Sequence, residues 1–139
     1  MTFWLFKSEP EGWSWAQQKA RGGNGEPWSG VRNYQAANNM KAMRKGDRGF
    51  FYHSVKEKRI VGIVEVIGEY RIDPTDETGK FGLVDVKAIC DVPEPVLLGD
   101  IKANAKLHGM ALLKQSRLSV QPVTAAEWQE ICRMGGVKT

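Results

Sequence analysis

Two cysteines and two histidines in 139 residues leave a metal little to bind. Cys90 and Cys132 lie far apart, as do His53 and His108, and none shows the short ligand spacing of a zinc site. No metal and no cofactor is expected. The cysteines read as free thiols, which suits a reducing, cytoplasmic setting. No apolar run approaches the roughly 18 to 20 residues that cross a bilayer, so no membrane partner is expected. The stretch MTFWLFKSEPEGW lacks a basic region leading into a long apolar segment, and no secretory leader is expected either. Enzymatic signatures are equally scarce. There is no GxSxG elbow, and the GGNG at 22–25 lacks the lysine and following helix of a phosphate-binding loop. His53-Ser54 and Lys7-Ser8 are sequence neighbours whose side chains would point to opposite faces of a strand. The acids Glu9, Glu11, Asp47 and Glu65 show no spacing that pairs two carboxylates. The chain is read as a non-enzyme, with a small-molecule hydrolase centred on His53 and Lys7 kept as the remote alternative.

What is present suits one α+β domain, residues 1–139, working as a monomer. Hydrophobic residues make up 42% and charged residues 26%, enough for one core and a solvated surface. The net charge is +4, a balance that favours polyanion partners. Lys41, Arg44, Lys45 and Arg48 form one basic cluster, and Lys56, Lys58 and Arg59 another. Lys102 and Lys106, four apart, would share a helical face.

Hydrophobic periodicity and capping residues place the elements. FWLFK reads as a buried first strand ending near Ser8, ahead of Pro10. Ser14 caps a helix at 15–20, and a glycine-rich loop follows at 21–27. Asn33 caps a second helix over YQAANNMKAMR, with Met40 and Met43 inward. Strands are expected at GFFYHS and RIVGIVEVIGEYRI. A further strand, FGLVDVKAICDV, should be stopped by Pro93 and Pro95. One or two helices at 98–115, a last strand at RLSVQPV and a closing helix capped by Thr124 complete the chain. A curved, largely antiparallel sheet closing into a small barrel with flanking helices fits this order.

The stretch WSGVRNYQAANNM concentrates aromatic and hydrogen-bonding groups where a small domain would be expected to hide apolar ones. Reading a nucleobase needs a flat apolar platform and donors or acceptors for the base edge. Trp28, Tyr34, Phe50 and Tyr52 can supply the platform, and Ser8, Ser29, Arg32, Asn33 and His53 the edge contacts. Trp4, Phe6 and Phe51 are assigned to the core, and Trp13, Trp15 and Trp128 to packing on helices.

WLFKSEP, WSGVRNYQAANNM, GDRGFFYHS, GIVEV and the closing RLSVQPV with its EW pair strongly resemble the EVE domain family, over Phe3 to about Ile131. The family commonly reads NYQARNN; this chain has Ala37 in the arginine's place and lacks that cation. The resemblance implies a PUA-like fold, a small β-barrel flanked by helices and similar to YTH domains. It also implies recognition of a modified base, notably methylated or hydroxymethylated cytosine in DNA, flipped into an aromatic pocket. YTH domains use a lysine-serine pair after the first strand and a tryptophan-serine pair after the next loop, and Lys7-Ser8 and Trp28-Ser29 stand in those places. By that resemblance Lys7, Ser8, Trp28, Ser29, Val31, Arg32, Asn33 and Tyr34 line the pocket. Tyr52, His53 and Ser54 face them from another strand, and which of Tyr52 and His53 points inward stays open. Lys41, Arg44, Lys45, Lys56 and Arg59 would hold phosphates. An RNA-binding role on tRNA or other modified RNA is the alternative.

Overall fold

Alternation along the first strand sets the layering. In β1 (Phe3–Ser8), Trp4 and Phe6 point to one face of the sheet and Leu5 to the other, and all three are buried. The structure, a computed structural model, describes residues 1–138. After β1 come α1 (Trp15–Ala20), a short 3₁₀ turn, the two-residue β2 (Glu26–Pro27) and α2 (Tyr34–Ala42). Three strands follow, β3 (Arg48–His53), β4 (Arg59–Ile72) and β5 (Gly82–Leu97). The chain ends with α3 (Leu98–Ala103), α4 (Ala111–Lys114), β6 (Val120–Val123) and α5 (Ala125–Met134).

The six strands form one sheet in the order β2-β5-β4-β3-β1-β6. The β1–β3 pair is parallel, because the intervening α1 and α2 form a crossover long enough to return the chain in the same direction. The other four pairings are antiparallel. The sheet is not closed, contrary to the barrel expected. Its edges are β2, ending in Pro27, and β6, containing Pro122, and a proline has no N–H to extend a ladder. Helices α1 and α2 cover the Trp4/Phe6 face, where Trp28, Phe51 and Val64 complete the core. Helices α3, α4 and α5 cover the Leu5 face with Phe50, Ile63 and Trp128. No helix among the described residues is long and apolar enough to cross a membrane.

Capping chemistry fixed several bounds as expected. Ser14 and Thr124 each make a reciprocal capping box, and the Asn33 side chain accepts from the Ala36 amide. Strand β5 differs, running through Pro93 and Pro95 to Leu97. Pairing with β4 jumps from Gly62–Asp91 to Ile60–Val96, so both prolines sit in a bulge where no ladder donor is needed.

Candidate functional site

A cavity of about 550 Å³ opens beyond the last residues of β1. Its floor and walls come from Lys7 and Ser8, the turn at Glu9–Trp13, and the segment Glu26–Arg32, with Ser119 at one edge. Two turns shape it. The amides of Gly12 and Trp13 both donate to the Glu9 carbonyl at 2.9 Å, and the Ser8 hydroxyl donates to the Trp13 carbonyl at 2.5 Å. The Trp13 indole N–H is held by Gln18 at 2.9 Å. The half-buried Trp13 ring is thereby fixed at the cavity.

The opposite wall is tied to the sheet. Pairing of β2 with β5 leads into Trp28, whose amide donates to the Val84 carbonyl at 2.8 Å. Gly25 makes this entry possible: its φ is +70°, and a Cβ there would meet the Val86 carbonyl oxygen at 2.6 Å. The Trp28 ring is only 8% exposed, edge-on to Phe6 at 5.2 Å and Phe51 at 5.6 Å. Beyond it, the Gly30 amide and the Arg32 guanidinium both donate to Asp73, at 2.8 and 3.1 Å. Asp73 is fully buried in the β4–β5 connection. Burial alone would raise its pKa. Donation from the Thr75 hydroxyl, the Gly30 and Thr75 amides and Arg32 outweighs that and holds it at about 2. A buried anion therefore braces the Ser29–Arg32 wall.

Six of the residues expected at a pocket meet here: Lys7, Ser8, Trp28, Ser29, Val31 and Arg32. Burial lowers the pKa of Lys7, whose ammonium donates to the Ser116 carbonyl at 2.6 Å. The others are placed elsewhere for clear reasons. Asn33 spends its side-chain oxygen as the α2 cap and borders a separate cleft. Tyr34 is 65% exposed and packs on Phe81. Strand alternation sends Tyr52 to the Leu5 face, where burial pushes its hydroxyl up to about 12, and it reaches a groove shared with Ser54 on the other side of Lys7. His53 lies on the Trp28 face but behind Trp15. Its Nε2 accepts from the Trp15 amide at 3.0 Å, so Nδ1 carries the proton shared with Glu57 at 2.9 Å. With both nitrogens engaged, His53 is a structural bracket for α1.

The expected phosphate-holding cations also scatter. Lys41 lies over the Tyr70 ring at 5.5 Å, and Arg44 donates to the carbonyls of Lys41 and Met43. Arg44 and Lys45 flank the turn before β3, at the opposite end of the strands from the cavity. That is roughly 17 Å away at 3.3 Å per residue. Lys56 pairs with Glu11 at 3.0 Å and Arg59 with Glu57 at 2.9 Å. Ala37 is buried on α2 and offers the solvent no contact. Trp13, expected on a helix, lies one residue outside the Ser14 cap of α1, and that cap is the local feature that marks it as a loop residue. Asp73, Glu26 and Ser119 carried no signal, since only tertiary pairing brings them to the wall.

The sequence matches the EVE domain family over residues 2–134. The chain belongs to that family. Chicken thymocyte nuclear protein 1 is 35% identical, the alignment spanning 90% of this EVE chain and 65% of the chicken protein. The chain thus spans about two-thirds of that relative's length. An Agrobacterium tumefaciens protein superposes with a TM-score of 0.95 at 56% identity, over 99% of this chain and 94% of that one. The human THYN1 protein, solved in complex with 5-methylcytosine-containing DNA, superposes with a TM-score of 0.90 at 30% identity over all of both chains. A YTH domain from Zygosaccharomyces rouxii shares the fold alone, at 18% identity and a TM-score of 0.56 over 99% of this chain and 89% of that one. The EVE chain accordingly has the PUA-like α+β fold.

Proposed function

We propose that this EVE domain is a non-catalytic reader of a modified base in nucleic acid, with modified cytosine in DNA as the preferred target and the base turned out of the duplex. The observation that carries the reading is the cavity lined by Trp13 and Trp28 and rimmed by Lys7, Ser29 and Arg32. Its volume falls within the roughly 300–1,000 Å³ of small-ligand sites. The human relative's complex with 5-methylcytosine-containing DNA supports the choice of target. Trp13 offers the stacking surface, because Trp28 is largely committed to the core. Ser29 and a carboxylate of Glu9 or Glu26 face the base edge, where a carboxylate can accept from the exocyclic amine of cytosine. Lys7 and Arg32 supply positive charge beside the sugar-phosphate. Stacking on Trp13 offsets part of the few kcal/mol that unstacking a base costs.

The test is a fluorescence titration with duplexes containing cytosine, 5-methylcytosine or 5-hydroxymethylcytosine. Tighter binding of one modified duplex is expected. Trp13→Ala, checked for an intact fold, should weaken that binding by about 1–3 kcal/mol. Equal affinity for all three duplexes would overturn the reading, and competition by tRNA in preference to duplex DNA at matched salt would assign the site to RNA.

A further inference from the structure

Three concavities meet at one short segment, Lys114–Ser119. Ser119 edges the Trp13/Trp28 cavity. Ser116, Arg117 and Ser119 line the groove on the far side of Lys7, together with Lys58. Residues 114–118 line the cleft that also contains Asn33 and Gln35. The segment is rigid for identifiable reasons. The Leu118 amide donates to the Gln115 carbonyl, closing a turn at 3.1 Å. The fully buried Gln121 side-chain amide donates to the carbonyls of Leu118 at 2.7 Å and Gln115 at 3.2 Å. Lys7 holds the Ser116 carbonyl through its ammonium and the Ser119 carbonyl through its amide. Four carbonyls of the segment, those of Gln115, Ser116, Leu118 and Ser119, are thus engaged.

The side chains of Lys114, Ser116 and Arg117 are left outward and exposed. Neither Lys114 nor Arg117 has a carboxylate within 4.0 Å among the described residues, in contrast with Lys56 and Arg59. Lys58, also without a carboxylate partner there, is fixed across the groove by its carbonyl, which accepts from the Leu98 amide at 2.9 Å. Glu9 is the one acid shared by the cavity and the groove. Unpaired cations on a fixed turn, beside a cavity sized for a base, match the chemistry of a phosphodiester chain.

We infer that the Lys114–Ser119 turn, with Lys58 across the groove, is the surface that carries the nucleic-acid backbone flanking the base in the cavity. The inference rests on the reading of that cavity as a base site. It assigns backbone contact to Lys114 and Arg117 in place of the Arg44 and Lys45 cluster at the other end of the strands.

The experiment measures affinity against salt concentration for a short duplex with one 5-methylcytosine, its unmodified counterpart, and the free 5-methyldeoxycytidine nucleoside. For Lys114→Ala with Arg117→Ala, the slope of log affinity on log salt should fall in magnitude by about 1.4–1.8, from two lost phosphate contacts. Both duplexes should weaken by the same factor, and nucleoside affinity should stay unchanged. Arg117→Lys should keep the slope, and Arg44→Ala with Lys45→Ala should leave it unaltered. A slope that is unchanged in the first double variant, or reduced in the second, overturns the inference. Wild-type binding that ignores the modification while the first variant still lowers the slope retires the base-reader proposal and keeps this surface. Absence of any nucleic-acid binding by the wild type overturns both.

Discussion

Asp73 is fully buried yet charged because four donors reach its two oxygens: the Gly30 and Thr75 amides, the Thr75 hydroxyl and Arg32. Its pKa of about 2 lies below the usual 3.8, so folding favours the deprotonated form. The stability it contributes is complete above about pH 4 and is lost as pH falls toward 2. Nearly two pH units correspond to something on the order of 2 kcal/mol. Asp73→Asn replaces one acceptor with an N–H₂ aimed at donors, and should lower the unfolding free energy at pH 7 by about 2 kcal/mol. Urea unfolding across pH 2 to 7 checks both points: the wild type should lose stability between pH 4 and 2, and the variant's curve should be flatter there. The Gly30 amide should also exchange faster in the variant, since its acceptor braces the cavity wall.

At the scale of elements, α1 is held by three separate devices. Ser14 and Gln17 cap it, His53 accepts from the Trp15 amide, and the Trp15 ring lies directly on Gly62 of β4. A Cβ at Gly62 would meet Trp15 ring atoms at 2.2–2.5 Å. Gly62→Ala should therefore destabilise by about 1–3 kcal/mol through overpacking and shift the tryptophan emission. Gly99, within α3, has open space where a Cβ would go, and Gly99→Ala should stabilise by about 0.4–1 kcal/mol. Thermal unfolding of the two variants should move in opposite directions. The same helix shows what the sequence made legible. Ser14, Asn33 and Thr124 mark helix starts because capping is local chemistry, written within three residues. The passage of β5 through Pro93 and Pro95 was not legible, because it depends on a bulge set by the partner strand. Nor was the inward choice between Tyr52 and His53: strand alternation separates the two residues, but only the neighbours assign the faces.

For the whole molecule, one sheet separates two cores that face different tasks. The Trp4/Phe6/Trp28 side ends at the cavity, while the other side is built around Trp128 on α5, stacked with Phe50 at 4.0 Å and Phe3 at 4.4 Å. The family and the layer order were readable from motifs spread along the chain. The cavity was readable in part, through the tryptophan-serine and lysine-serine pairs. Trp13, Asp73 and the Lys114–Ser119 turn come together only when the crossover and β6 are in place. The separation of the cores has a measurable consequence. Trp128→Ala removes a ring that packs far from the cavity and should cost about 3–5 kcal/mol of stability. At temperatures where that variant stays folded, its affinity for the modified duplex should match the wild type. Trp13→Ala should give the crossed result, with a smaller loss of stability because the ring is only half buried, and a clear loss of affinity. Paired denaturation and titration of both variants read this directly. A parallel loss of affinity in folded Trp128→Ala would mean that the sheet transmits packing from one face to the other, and that the cavity's shape depends on both cores.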